Sequence, residues 1–303
     1  MAHHCFSFKA MGTRCEIRLF AHDAAIAANA IGVAAGEINR LEQKYSRYLP
    51  NNFLAHINRA AQHGSSTAID AECAALLQFS DACHRQSDGL FDITSGVLRR
   101  AWNFDRQVLP DEGLLAQLLS SVGWQHVRWS AELIRFQRPG MEIDFGGIVK
   151  EYAADRAAAV LRESGIVHGM VDMGGDIVAV GPDPDGLPWQ ISIRHPRRED
   201  TVVATFALTH GAVATSGDYA RCVIVDGRRY SHLLSPVTGW PVQGLASVSA
   251  VCDQCVVAGG VSTTAILMEG NGRQWLEDGG MPHVWVDLDG QIGGSAATIE
   301  AAP

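Results

Sequence analysis

The spacing of apolar residues along the chain switches repeatedly between the alternation typical of strands and the three-to-four spacing of helices. Residues 24–45 show the helical pattern most clearly, because Ile31, Ala34, Ile38 and Leu41 fall on one face. In the first half of the chain, the pattern predicts strands at Cys5–Ala10 and Cys15–Phe20, and helices at Ala24–Tyr45, Phe53–Ala60, Asp70–Ser87 and Asp111–Ser121.

The second half continues with a mixture of both patterns. It predicts strands at Met141–Phe145, Val167–Gly181, Trp189–Arg194, Thr201–Leu208, Cys222–Val225, Arg228–Leu234, Leu245–Val251 and His283–Leu288, helices at Gly147–Ser164 and Val256–Met268, and a frayed tail at Ala296–Pro303. Asp226-Gly227 favours a hairpin turn. Strands and helices do not alternate strictly, so we expect an α+β fold with mixed, largely antiparallel sheets packed with helices. We expect residues 1–303 to form one domain, built either as one unit or as two intimately packed subdomains.

Composition narrows the classes of function. The 303 residues are 47% hydrophobic and carry a net charge of -9, which argues against a general nucleic-acid binder. No apolar run approaches the roughly 20 residues that cross a bilayer, and residues 1–20 lack the pattern of a secretory signal. The seven cysteines show no framework of paired spacings. We therefore expect reduced thiols, no membrane partner and a cytoplasmic location.

The strongest chemical motif runs from Glu142 to Asp155. A predicted strand enters Gly146-Gly147, and a predicted helix begins at once with Lys150 in its first turn. A helix N-terminus presents free N–H groups and the positive end of the helix dipole, which suits a phosphate. An ordinary strand–turn–helix junction with a solvated lysine is the more frequent explanation of such a motif taken alone.

Three other clusters carry weaker signals. Gly174-Gly175 lies within a strand pattern, which indicates either a bulge or a ligand close to the backbone. Thr215-Ser216-Gly217 forms a predicted turn rich in donors. His232 precedes a Pro-x-Thr-Gly turn, although a lone histidine is more often structural than catalytic. The Cys252-x-x-Cys255 pair could be a redox pair, but two incidental thiols at a strand–helix junction are the commoner case.

Taken in order, these clusters resemble the ApbE family, and the resemblance covers nearly the whole chain. The matching segments are Met11-Gly12-Thr13, Ser46-Arg47-Tyr48, Ile57 to Ala60, Phe91 to Thr94, Asp144 to Asp155, Gly174-Gly175-Asp176, Thr215 to Asp218, His232 to Gly239 and Ala258 to Thr263. Single motif matches often arise by accident, but so many in register are very unlikely to do so. The resemblance also implies that family's T-fold-like architecture.

The resemblance implies a specific activity. Such enzymes cleave FAD at its pyrophosphate, attach FMN to a threonine or serine of a target flavoprotein with a Ser-Gly-Ala-Thr-like motif, and release AMP. By matching positions, the FAD would be lined by Met11, Tyr48, Asn58, Leu90, Phe91, Asp92, Asp144, Lys150, Thr215 and His232. Lys150, Ser216 and His232 would act at the reacting phosphate. The Gly147 carbonyl and the Thr263 hydroxyl would bind Mg²⁺.

This sequence departs from the family pattern at acidic positions. Gly259 stands where the family has a metal-binding aspartate, and Ser235 stands where it tends to have another aspartate. Glu151 replaces the glycine that often follows the lysine. Mg²⁺ favours carboxylate ligands, so we expect the change at Gly259 to weaken metal binding and Gly259→Asp to restore it.

Three explanations are therefore open. The chain is an active transferase whose metal is held by phosphate oxygens, Thr263, a carbonyl and water. Alternatively, it is an FAD-binding relative that has lost or altered the transfer step and stores FAD, hydrolyses it slowly or uses it otherwise. The third explanation is a non-catalytic interaction protein that keeps only the scaffold. The intact Asp144, Lys150, Ser216 and His232 argue against the third.

Overall fold

A computed structural model describes residues 1–104, 106, 108–198, 200–219 and 221–296. Its helices are α1 (Ala24–Tyr45), α2 (Phe53–Gln62), α3 (Ala71–Gln86), α4 (Glu112–Leu119), α5 (Val149–Glu163), α6 (Cys255–Leu267) and α7 (Gly272–Gly279), with shorter 3₁₀ turns at Ile93–Arg100, Trp124–His126 and Glu269–Asn271. Of the predicted frayed tail, Ala296–Pro303, residues 297–303 lie outside the described residues.

The strands form one large sheet and three small ones. They are β1 (Ala2–Ala10), β2 (Thr13–Ala21), β3 (Ser66–Ala68), β4 (Val127–Trp129), β5 (Leu133–Phe136), β6 (Gly169–Met173), β7 (Ile177–Gly181), β8 (Trp189–Arg194), β9 (Val202–Leu208), β10 (Ala212–Gly217), β11 (Cys222–Val225), β12 (Arg228–Ser231), β13 (Leu245–Cys252), β14 (His283–Asp287) and β15 (Ile292–Gly293). The large sheet has the order β1-β2-β6-β7-β10-β13-β14-β15. Its pairings are antiparallel, as expected for this α+β fold.

Helices α1, α5 and α6 pack together, and α5 and α6 also cover strands of the large sheet. Ile17 of β2, Ile38 of α1 and Leu161 of α5 belong to one buried core, and each is completely inaccessible to solvent. This packing brings the N-terminus of α5 close to the ends of the sheet strands. In the described part of the chain, no helix combines the length and apolar character needed to span a membrane.

Several predicted elements are confirmed. Helix α1 has the predicted bounds, and Asp23 caps it by accepting hydrogen bonds from the N–H groups of Ala25 and Ile26. The Asp226-Gly227 hairpin is also present, and both residues have the positive φ angles, 49° and 75°, that this turn requires.

The predicted strand Met141–Phe145 is wrong. These residues are extended and mostly buried, but side chains of α2 hold them instead of a neighbouring strand. Asn58 accepts from the Ile143 N–H at 2.9 Å and donates to its carbonyl at 3.0 Å, and Gln62 donates to the Met141 carbonyl at 2.9 Å. Because alternation reports only which side chains are buried, it cannot identify such partners.

Two of the weaker clusters also differ from their predictions. Gly174-Gly175 forms the turn of the β6–β7 hairpin, with φ angles of 72° and 99°, and is not a bulge within a strand. Thr215-Ser216-Gly217 is the end of β10 and not a turn, because its backbone pairs with β13. His232 follows β12 directly, since that strand ends at Ser231.

Candidate active site

The N-terminus of α5 forms the floor of the candidate site. Its N-cap, Ile148, makes no side-chain capping bond, and the Gly146 N–H donates to Asp144 Oδ1 at 3.0 Å. Among the described residues, no hydrogen bond engages either the N–H or the carbonyl of Gly147. The helix N-terminus therefore presents an open peptide group and the positive end of its dipole to a ligand.

A buried ion pair lies beside this helix end. Lys150 Nζ is 2.5 Å from Asp176 Oδ2 and 3.7 Å from Glu151 Oε1, and Asp176 Oδ1 accepts from the Thr215 N–H at 3.0 Å. Burial alone would lower the pKa of Lys150, but Asp176 and Glu151 outweigh that effect and raise it. Lys150 is thus a fixed positive charge at neutral pH, and Asp176 ties it to β10.

Two arginines form a second positive edge. Arg47 pairs with Asp144 and donates to the Tyr48 hydroxyl at 3.0 Å, and Arg221 donates to the same hydroxyl at 3.0 Å. Burial raises the pKa of Tyr48, but these two hydrogen bonds outweigh it and leave the pKa lowered. Sequence reasoning missed Arg221, because its only signal is a position between two recognised motifs. The guanidinium also lies near Gly12, and so joins distant segments.

A group of hydroxyls connects β10 with α6. Ser216 Oγ lies 2.9 Å from Ser262 Oγ and 2.8 Å from Thr263 Oγ1, and Ser262 donates to the Gly259 carbonyl at 3.1 Å. The structure therefore brings together the predicted residues Ser216 and Thr263. Each of these hydroxyls can reorient to donate to an incoming phosphate oxygen.

One ring nitrogen of His232 is hydrogen-bonded to a backbone carbonyl. Its Nδ1 lies 3.2 Å from the Arg221 carbonyl, which can only accept, so Nδ1 carries the proton and Nε2 is the basic nitrogen. Desolvation lowers the pKa of His232, the Arg221 carbonyl opposes this, and the charges of Arg221, Arg47 and Lys150 lower it further. The imidazole is consequently neutral at neutral pH.

The predicted FAD-lining residues fall into two groups. The side chains of Asn58 and Asp92 are hydrogen-bonded to the protein backbone. Asn58 donates to the Ile143 carbonyl, and Asp92 accepts from the Thr94 and Trp124 N–H groups at 2.7 and 2.9 Å. Met11 and Leu90 are half-buried apolar side chains, and the ring of the buried Phe91 lies beside Gly147. Tyr48 is open to solvent, with 67% of its surface exposed.

The oxygen donors present fit a hard cation such as Mg²⁺. The open Gly147 carbonyl, the Thr263 hydroxyl and the Glu151 carboxylate are available, and Glu151 Oε2 is buried without a hydrogen-bond partner in the described residues. No group of three or more His, Cys, Asp or Glu side chains in that same part of the chain is placed to hold a metal together. Ser235 accepts from the N–H groups of Val237 and Thr238 at 3.2 Å, so this serine stabilises the turn that follows His232.

The remaining candidate features lie outside this chemistry. All seven cysteines are unpaired, and burial raises the pKa of Cys252 to about 11 and that of Cys255 as well, which disfavours a reactive thiolate. A shallow cavity of about 350 Å³ between Asp81, Trp124 and Arg128 contains none of the predicted site residues. The chemistry therefore concentrates at the α5 N-terminus.

Comparisons with known proteins point to the same family. The ApbE family matches residues 11–285 of this chain. The FAD:protein FMN transferase of Vibrio cholerae is 30% identical over 244 residues, covering 77% of this chain and 72% of that relative. The Rhodobacter capsulatus enzyme of the same name is 28% identical over 85% of this chain, which spans 50% of that relative's length.

Solved structures agree with the sequence relatives. The ApbE protein of Thermotoga maritima matches with a TM-score of 0.88 at 28% identity, covering 97% of each chain. The flavin transferase ApbE from Vibrio cholerae matches with a TM-score of 0.85 at 26% identity, covering 98% of this chain and 97% of the other. The family profile, the relatives and the fold agree, and this chain belongs to the ApbE family.

Proposed function

We propose that this protein is an FAD:protein FMN transferase, which binds FAD and transfers FMN to a threonine or serine hydroxyl of a flavoprotein. The observation that carries the proposal is the α5 N-terminus, where the Gly147 peptide is open and Lys150 is tied through Asp176 to β10, the strand that carries Ser216. A diphosphate is the part of FAD that such a site fits, since it needs N–H donors and positive charge. The related transferases favour this activity over an FAD-binding relative without transfer.

The chain's residues would divide the work of phosphoryl transfer. The acceptor hydroxyl oxygen attacks the phosphorus of the FMN half, the bond from that phosphorus to the bridging oxygen breaks, and AMP leaves with that oxygen. Nε2 of His232 accepts the proton of the attacking hydroxyl. Lys150 and the α5 N-terminus stabilise the charge that develops on the phosphate oxygens.

Flavin binding would use the edge of the site that faces Tyr48. Met11, Leu90 and Phe91 supply apolar contacts, and Arg47 and Arg221 supply positive charge. Asn58, Asp92, Asp144 and Thr215 hold the backbone that shapes this edge.

Magnesium would bind beside the diphosphate, where it neutralises phosphate charge. The Gly147 carbonyl and the Thr263 hydroxyl would be ligands, together with phosphate oxygens and water. The seven unpaired cysteines support a reducing, cytoplasmic location for this chemistry. The acceptor would present its hydroxyl in a Ser-Gly-Ala-Thr-like segment.

A peptide assay tests the proposal. The protein is incubated with FAD, Mg²⁺ and a Ser-Gly-Ala-Thr peptide, and the peptide mass and the AMP released are measured. We expect the mass to rise by one FMN group with one AMP per peptide, and a matched valine peptide to stay unchanged. An unmodified threonine peptide, with FAD binding shown by fluorescence titration, would contradict transferase activity. Replacing His232 by alanine should slow transfer by about a hundredfold or more.

A further inference from the structure

Residues 151 and 259 share one space in the core between α5 and α6. A Cβ atom added to Gly259 would lie 2.6 Å from Glu151 Cγ and 3.2 Å from its Cδ. Glu151 and Gly259 are both buried, so neither can move away without opening the packing. The glycine at 259 therefore leaves room for the glutamate at 151.

The carboxylate that fills this space has an unused oxygen. Glu151 is 7% exposed, and its Oε2 is buried without a hydrogen-bond partner among the described residues. The other oxygen, Oε1, lies 3.7 Å from Lys150 Nζ, which is closer to Asp176. A buried carboxylate oxygen that receives no hydrogen bond is costly, and a bound cation would offset this cost.

Glu151 also lies among the other oxygen donors of the site. Glu151 lies in the first turn of α5, four residues after Gly147, whose carbonyl is open. Gly259, which Glu151 contacts, precedes Thr263 by one turn of α6, on the same face. The Glu151 side chain thus lies where the first turn of α5 contacts α6, one helical turn before Thr263.

We propose that Glu151 is the anionic protein ligand of the divalent cation that accompanies the FAD diphosphate, with the carboxylate provided by α5 while position 259 of α6 stays glycine. This inference rests on the proposed function, because it concerns the same site. It gives this chain a complete set of hard oxygen donors in the Gly147 carbonyl, the Thr263 hydroxyl and the Glu151 carboxylate. It also explains why Glu151 and Gly259 occur together.

The first test measures metal affinity directly. Mn²⁺ and Mg²⁺ are titrated calorimetrically into FAD-saturated protein, for the natural chain and for Glu151→Gln, which keeps the shape but removes the charge. We expect metal affinity to fall by at least about tenfold, a loss that even supporting residues of metal sites produce. FAD binding without metal should persist, and Glu163→Gln, on the exposed end of the same helix, should leave metal affinity unchanged.

The second test exchanges the two residues. The sequence alone predicts that Gly259→Asp restores metal binding, but the structure reverses this expectation. Gly259→Asp alone should lower the thermal midpoint and fail to improve metal binding, because its side chain collides with Glu151. The paired variant Glu151→Gly with Gly259→Asp should recover both stability and metal affinity, since the carboxylate moves to α6 and the space for it is free. If Glu151→Gln fails to fold, the paired variant still tests whether a carboxylate in this space binds the metal.

The outcomes distinguish the proposed function from the role of Glu151. A natural protein that binds no FAD contradicts the proposed function itself. If Glu151→Gln leaves both the FAD affinity and the metal affinity unchanged, only the role of Glu151 is overturned. That role is likewise overturned if Gly259→Asp alone folds normally and binds metal more tightly.

Discussion

His232 illustrates how single contacts set the chemistry at the residue scale. Its Nδ1 faces the Arg221 carbonyl, which leaves Nε2 as the proton acceptor. Desolvation and the neighbouring cations hold the pKa below the ordinary value of 6.5. A general base works in its neutral form, so a lowered pKa extends activity toward acidic pH.

The pH profile of kcat/KM for FMN transfer tests this assignment. Activity should fall with decreasing pH only below 6.5, the ordinary pKa of histidine, because His232 loses its basic form there. Arg221→Gln should move this fall toward higher pH by removing a positive charge. A fall centred above 6.5, or one that persists in His232→Ala, would contradict the role of His232.

Asp176 gives a second prediction at the residue scale. It is 2% exposed and holds both Lys150 Nζ and the Thr215 N–H. Asp176→Asn keeps an acceptor for Thr215 but removes the charge that pairs with Lys150, so the free energy of unfolding should fall by about 1–3 kcal/mol in urea denaturation. Asp185→Asn, on an exposed turn, is the control and should change stability little. Equal stability of the two variants would contradict the structural role of this ion pair.

At the scale of elements, the segment before α5 depends on side chains of α2. Asn58 pairs with both backbone groups of Ile143, which fixes residues 141–147 and so the position of Gly147. Asn58→Ala should destabilise the fold by about 1–3 kcal/mol, because two buried backbone groups lose their partner, and should also weaken FAD binding. Asn51→Ala, at an exposed neighbouring turn, is the matched control. Loss of stability without loss of FAD affinity would show that this segment does not shape the site.

The sequence predicts well those elements whose determining residues lie within the element itself. Helix α1 has its cap and its apolar face within its own residues, and the Asp226-Gly227 hairpin has its turn. The predictions for residues 141–145 and 215–217 are wrong because the hydrogen-bond partners of these segments come from α2 and β13. Short strands such as β3 carry too few residues for a recognisable alternation.

The same reasoning applies to the candidate site. The glycines and Lys150 are adjacent in sequence, so the chain alone suffices to predict an anion site there, which stays a proposal. The partners of Lys150 and of Tyr48, which are Asp176 and Arg221, come from distant segments and have no local signal. The changes at positions 151 and 259 are visible separately in the sequence, but only the structure shows that the two residues are in contact.

At the scale of the whole molecule, one sheet connects the distant parts of the site. It runs from β1 to β15, and we propose that the described chain folds as one unit for this reason. The net charge is -9, yet Arg47, Lys150 and Arg221 lie around the α5 N-terminus. This local concentration of positive charge attracts an anionic ligand in spite of the overall charge.

FAD should therefore stabilise the entire fold, because it would contact segments from Met11 to Thr263. At an FAD concentration about 100 times Kd, the gain is about 2.7 kcal/mol, which thermal unfolding detects as a higher midpoint. Riboflavin, which lacks phosphates, should raise the midpoint much less at the same concentration. Equal shifts for both ligands would mean that the phosphate site contributes nothing to binding.

A crystal structure of the protein with FAD and Mn²⁺ would show whether the α5 N-terminus is the diphosphate site. We predict the FAD diphosphate at Gly146-Gly147, within reach of Lys150, and Mn²⁺ between the diphosphate and the Glu151 carboxylate. A diphosphate bound away from the α5 N-terminus, or an α5 N-terminus without a ligand in crystals where the flavin is visible elsewhere, would contradict this prediction.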